Sequence, residues 1–325
     1  MLIKCAGAVA IVFALFYFVG ASELLGALAE IDCVYVFYLI LIAVVMIWIS
    51  CLKWRLFIRA HARDVSILHL MKLYTTSYFF NTFAPSCIGG DVARSYQLGK
   101  YLESQKDAFV STFLERFTGV LAMSCLGLVF VVLGSQATAG IEIAVIIVGV
   151  LTLMLALMVF SLRISNFCFD ISLSVLRSFG FSRLAARLDS LFLKLSQAMA
   201  VARGSRVLLA KAMLLSFAFH LMTVVNTYVA ALAVGWKEPN LAGIFVIVPL
   251  VLLVSLVPLT PNALGVQEGA FLFFLEKVGA TKPQGLGVGI VLRAKVILIA
   301  VVGGLLLVGL PKGEVRASDM LREKN

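Results

Sequence analysis

Charged and amide side chains stand inside stretches that are otherwise almost wholly apolar: Asp91, Arg94, Glu115, Arg116, Glu268, Arg293 and Lys295, with His220 and Asn226 in a run of their own. An ionised group in hydrocarbon costs about 2.5–3.5 kcal/mol on insertion scales, so it turns toward protein or trapped water. Arg94, Arg116 and Arg293 would draw an anionic group into a polar chamber, while Asp91, Glu115 and Glu268 would balance that charge or exchange protons. A plainer arrangement uses the same residues. In it Asp91–Arg94 and Glu268–Arg293 are ion pairs that fasten neighbouring helices and touch no ligand. His220 fits a hydrogen-bonded helix contact better than a ligand.

Two short segments place most of these groups. One runs from Asn81 through Pro85, Gly89, Gly90 and Asp91 to Arg94, the other from Pro258 through Pro261 and Gly265 to Glu268. Each has a proline, a glycine four residues later and then an acid. Asp91 precedes Arg116 by 25 positions, and Glu268 precedes Arg293 by the same 25. The echo predicts two structural repeats, each with a broken helix and buried charge, an arrangement by which many transporters build a site at mid-membrane. Irregular backbone at that depth leaves peptide groups unpaired unless protein or a wet cavity surrounds it, so each break implies a cavity. Pro85 and Pro261 suit the first turn of a half-helix, where the missing N–H is no loss. Gly89, Gly90 and Gly265 permit close approach of a ligand or another helix. The free N–H groups of such a helix start favour a phosphate.

The elements that carry these segments follow from composition. The chain has 325 residues, 62% of them hydrophobic and 14% charged, with a mean hydropathy of +1.06. A soluble core has no use for so much apolar sequence. Runs at 2–20, 34–51, 120–133, 143–162, 207–234, 241–257 and 285–310 mostly reach or approach the roughly 20 residues a helix needs to cross a bilayer. They lack the alternation of a membrane barrel. The first run carries only Lys4 as a basic flank and reads as a retained anchor rather than a cleaved leader.

Charge placement orients the spans. The net charge of +10 invites a nucleic-acid partner, yet most of the 27 basic residues lie at position 4 and in segments 53–63, 94–106, 163–206 and 312–324, which one orientation gathers on one side. Lys237, Lys277 and Lys282 fall on the other. That is the positive-inside bias of an integral protein of the cytoplasmic (inner) membrane with both termini cytoplasmic, and no nucleic acid is implied. Segment 67–83 must then turn back at Pro85 and leave on the side it entered, and 241–257 with 261–274 must form a second hairpin that opens the opposite way. The fold expected is all-α, a polytopic membrane protein of about six transmembrane helices plus two inverted re-entrant hairpins. One membrane domain spans 1–312, with a first repeat at about 67–162, an amphipathic cytoplasmic connector at about 163–206 and a second repeat at about 207–310. Residues 313–325 form a cytoplasmic tail. In the connector, Leu184, Leu188, Leu191 and Leu195 share a face that Arg183, Arg187 and Lys194 avoid, as in a helix on a membrane surface or against a partner.

Other chemistries lack their signatures. The six cysteines show no close pairing, three scattered histidines give no metal spacing, and neither a phosphate-binding Walker loop nor a dinucleotide glycine motif occurs, so no cofactor or metal is expected. Gly285, Gly287, Gly289, Gly303 and Gly304 give the last span a small face suited to helix packing.

The P-x3-G-G-D-x2-R core ending at Arg94, the Glu115-Arg116 pair and the P-x2-P-x3-G-x2-E element from Pro258 to Glu268 resemble the transmembrane, flippase-like domain of lysylphosphatidylglycerol synthases. The resemblance covers about residues 1–312. In those synthases the membrane domain is associated with moving aminoacylated phospholipid between leaflets, while a separate soluble domain performs aminoacyl transfer. The sequence stops at Asn325 without room for such a domain, so the resemblance implies a stand-alone member that does not itself aminoacylate.

Three function classes follow. The first is translocation of an anionic or phosphate-bearing lipid, phospholipid or polyprenyl-linked, whose headgroup meets Asn81, Pro85, Gly89, Gly90, Asp91, Arg94, Glu115, Arg116, Pro258, Pro261, Gly265, Glu268 and Arg293. The second is a non-transporting accessory subunit that docks a separate synthetase or glycosyltransferase through the connector. The third, an enzyme acting on a lipid phosphate, would draw on Asp91, Glu268 and His220, which lack a recognisable mutual spacing.

Overall fold

Long apolar runs close their backbone hydrogen bonds most economically as helices, and helix is the regular structure throughout the described residues. The computed structural model of the chain describes residues 31–60, 64–83, 89–132, 204–256 and 259–308, with isolated positions between 146 and 178. Eight α-helices occupy these residues: α1 (Cys33–Ala60), α2 (Ile67–Phe83), α3 (Gly89–Leu102), α4 (Gln105–Val132), α5 (Arg206–Ala233), α6 (Leu241–Leu256), α7 (Val266–Glu276) and α8 (Lys282–Val308).

Polar residues punctuate the apolar runs and decide where helices begin. Asp32 accepts the Val34 N–H at 2.8 Å ahead of α1, and Ser66 accepts from His69 at 3.2 Å in the first turn of α2. At α4, Ser104 Oγ receives the Asp107 N–H while donating to the Asp107 carboxylate, and at α8 Thr281 and Gln284 cap each other. Ser205 opens α5 and Asn240 opens α6 in the same way. Beyond α1, Asp64 takes both Arg59 and Arg55 side chains, which holds its carboxyl well below the usual carboxylate range.

Among the described residues, four helices are long and apolar enough to cross a membrane: Val34–Ala60, Gln105–Val129, Arg206–Ala233 and Lys282–Leu307. They overlap the runs expected at 34–51, 120–133, 207–234 and 285–310. Helix α6 has 16 residues, about 24 Å of rise, short of the roughly 30 Å hydrocarbon core. The expected span at 2–20, the turn at Pro85, Pro258 and the tail lie outside the described residues, as do the expected span at 143–162 and the connector at 163–206 apart from isolated positions and residues 204–206.

The order short helix, break, short helix, long helix occurs twice. Helices α2, α3 and α4 have 17, 14 and 28 residues; α6, α7 and α8 have 16, 11 and 27. Within each set the second short helix packs on both the first and the long one, and α8 runs against α2, joining the sets. Helix α1 packs on α5, which reaches α4, α6 and α8. One core gathers around Val224, Ile244, Ile247, Phe271 and Leu275; another gathers around Trp54, Leu70, Tyr74, Leu98 and Leu102. Glycines set the closest approaches. A Cβ on Gly303 would collide with the Thr75 carbonyl of α2, and one on Gly289 would lie 3.0 Å from the Glu268 Cα of α7. The small face of the last span is a packing surface, as its composition suggests.

Candidate functional site

The second break is built by a charge. After α6 the chain makes a single 3-10 turn at Pro261–Ala263, in which Asn262 and Ala263 have φ of 49° and 52°, and Gly265 at φ 80° starts α7. Left-handed backbone at two non-glycine residues in succession needs outside support. Arg293 of α8 supplies it by donating to the carbonyls of Asn262 at 3.0 Å and Ala263 at 3.4 Å. The same guanidinium meets the Glu268 carboxylate at 2.5 Å and Gln267 Oε1 at 3.2 Å. Glu268 turns its other oxygen back to the Gly265 N–H at 2.7 Å. The anion seated at the start of α7 is therefore the protein's own carboxylate.

Beside this knot lies a cavity of about 170 Å³ where α1, α2, α5, α6, α7 and α8 converge. Its polar lining is Arg293, Lys295, Gln267, Asn226, Thr223 and Tyr78. Met46, Val248, Leu252 and Phe271 belong to its apolar wall. Lys295 Nζ donates to Asn226 Oδ1 at 2.6 Å. A chamber with cations and amides on an apolar wall can hold an anionic headgroup whose tail stays in hydrocarbon.

The first break is fastened more tightly. Gly90 presses on α2, where a Cβ would strike the Ser77 carbonyl and Asn81, and its N–H donates to Asn81 Oδ1 at 2.8 Å. The glycine admits a helix at this point. Arg94, 0% exposed, donates to Asp91 at 3.0 Å and to Glu115 of α4 at 2.7 Å, with the rings of Trp54 and Tyr74 at 4.8 and 4.6 Å on its guanidinium. Glu115 also holds Lys53 of α1 at 3.3 Å, and Lys53 reaches Ser216 of α5 at 3.2 Å. Arg116 pairs with Asp91 at 2.8 Å and keeps 46% of its side chain accessible. Four helices thus meet on five charges, three cationic and two anionic, and Arg116 is the accessible one. His220 Nε2 donates to the Gly119 carbonyl at 2.9 Å and fastens α5 to α4.

Among the residues expected at a site, then, Asp91, Arg94, Glu115 and Arg116 form one network with Asn81 and Gly90 beside it, at the start of α3 marked by Gly89. Pro261, Gly265, Glu268 and Arg293 form another, and of these Arg293 lines the cavity. Pro85 and Pro258 lie outside the described residues. Gln267, Lys295 and Asn226 join Arg293 on the cavity wall although the motif spacing does not single them out. Lys295 and Asn226 are among the polar side chains that the sequence places inside apolar runs, whereas Gln267 is not.

A family model described as the lysylphosphatidylglycerol synthase TM region matches residues 1–304. Two relatives from Methanothermobacter thermautotrophicus, each named only as a UPF0104 membrane protein, are similar along most of their length. One is 25% identical over 281 residues, 82% of this chain and 82% of the relative. The other is 24% identical over 305 residues, 88% of this chain and 84% of the relative. No solved structure matches.

Proposed function

The chain belongs to the lysylphosphatidylglycerol synthase transmembrane-region family of integral membrane proteins, and from that premise we propose that it moves an anionic, phosphate-bearing lipid between the leaflets of the cytoplasmic membrane. The observation that carries this reading is the cavity on whose wall Arg293, Lys295, Gln267 and Asn226 stand among largely apolar side chains. Such a wall solvates a phosphate headgroup where water does not reach in bulk, while the acyl or prenyl tails remain in the bilayer. Arg293 then has two tasks, bracing the break before α7 and facing the headgroup. Relative movement of the two broken-helix units would open the chamber to each leaflet in turn. In the first unit Arg94 and Glu115 hold α3 to α4, and Arg116 is the cation placed to receive the headgroup as it enters or leaves. No covalent step is part of the cycle.

Leaflet-resolved lipid labelling of vesicles holding the full chain tests the proposal. Substituting Arg116, Arg293 and Glu268 one at a time, at matched protein levels, is expected to slow movement of an anionic reporter lipid. Unchanged movement in all three variants removes the site. Normal movement after deletion of segment 182–201 would argue against partner docking as the essential role.

A further inference from the structure

Charge on the cavity wall is unevenly balanced. Arg293 is neutralised by Glu268, whereas Lys295 meets the Asn226 amide oxygen and, among the described residues, forms no ion pair. Both cations line the same space of about 170 Å³, so the described part of its wall carries one cation in excess. An amide oxygen orients an ammonium but leaves its charge uncancelled, and an uncancelled charge out of water is costly until an anion joins it. The space is also small. Sites that enclose a whole drug-sized molecule run to roughly 300–1,000 Å³. This one takes a compact headgroup.

We propose that Lys295, positioned by Asn226, is the charge-reading residue of this chamber and selects a compact, net-anionic phosphodiester headgroup against one that carries ammonium groups. The inference rests on the lipid-translocation reading and names its substrate class more narrowly. A phosphodiester with a glycerol-sized substituent brings one negative charge to Lys295 and hydroxyls to Gln267 and Thr223. Esterifying that headgroup with an amino acid adds one or two ammonium groups, which would crowd Lys295 and Arg293 with like charge. Zwitterionic lipids lie between, because their phosphate satisfies Lys295 while their ammonium lacks a free carboxylate.

The test is binding of short-chain probes to the purified full-length protein in detergent, with dioctanoyl phosphatidylglycerol, its lysyl ester and dioctanoyl phosphatidylcholine. The wild type is expected to bind the first at least about tenfold more tightly than the lysyl ester, the scale of one charge-assisted hydrogen bond gained or lost. Lys295→Gln should abolish that preference and Lys295→Arg retain most of it. The arginine variant controls for folding. A lysyl ester that binds as well as phosphatidylglycerol, or a folded Lys295→Gln protein with undiminished selectivity, overturns the proposal. Inorganic phosphate should compete only far above the lipid's own concentration, and equal potency would overturn the lipid as occupant. Failure of the transport reading is a separate outcome, seen as no lipid movement in vesicles whatever the binding selectivity.

Discussion

Arg293 is the side chain with the most consequences. It holds two strained peptide carbonyls, a carboxylate and an amide, and it faces the cavity. Arg293→Ala strands Glu268 and frees the break before α7, and removing one partner of a buried pair costs roughly 3–5 kcal/mol. The expected result is a large drop in thermal midpoint in detergent, with lipid movement lost. Arg94→Ala leaves Asp91 and Glu115 short of a cation and should cost a similar amount, whereas Arg116→Ala, at an accessible position, should cost far less stability while still slowing transport. Comparing the midpoints of the two variants checks that contrast. Asp64 behaves differently because it is exposed. Its carboxyl titrates lower when folded than when unfolded, so its tie to Arg59 and Arg55 is complete above the ordinary carboxylate range near about 4 and is lost as pH falls through the folded value. The protection factors of amides in the last turn of α1, measured against the intrinsic exchange rate at each pH, should therefore be steady from neutral to mildly acidic pH and fall only under strong acid. In Asp64→Asn that acid dependence should be absent.

At the scale of elements, contacts between α8 and its neighbours are made by missing side chains. Gly303→Val must push α8 off the Thr75 carbonyl of α2, and such overpacking costs about 1–3 kcal/mol. A lowered thermal midpoint with wild-type headgroup binding is the expected outcome, since Gly303 is not on the cavity wall. Much of this level was legible in the sequence. The shared spacing of Asp91 with Arg116 and Glu268 with Arg293 reappears as two ion pairs, because in both units an acid in the first turn of a short helix packs against an arginine of the following long helix, although the loops between them differ in length. Lys53 was not legible as a partner of Glu115. It lies on a helix outside both units, and no local period connects it to α4 or to Ser216, 163 positions away. The cavity escaped for the same reason: Asn226 and Lys295 stand 69 positions apart and meet only when α5 and α8 pack. Pro261 and Gly265 mark the break before α7, while the anion at the start of α7 is supplied by Glu268 from within the chain.

For the whole molecule, the two sets of short and long helices share one interior through α8 and α2, and the break before α7 touches α2. Rearrangement of either broken unit is thus felt at the wall of the chamber that α2 supplies through Tyr78. Its outer surface is apolar, with exposed Phe37, Leu41, Leu214, Leu298 and Leu305 on the long helices, as lipid contact requires. On the proposed reading, the cavity wall would give a headgroup the polar contacts that hydrocarbon lacks. The most direct test is the rate at which a labelled anionic lipid changes leaflet in sealed vesicles containing the wild-type chain, an Arg293→Gln chain at equal density, or no protein. The wild type should exceed the other two by at least about tenfold, the worth of a charge-assisted contact. Equal rates in all three vesicle populations would mean that the chamber does not carry lipid.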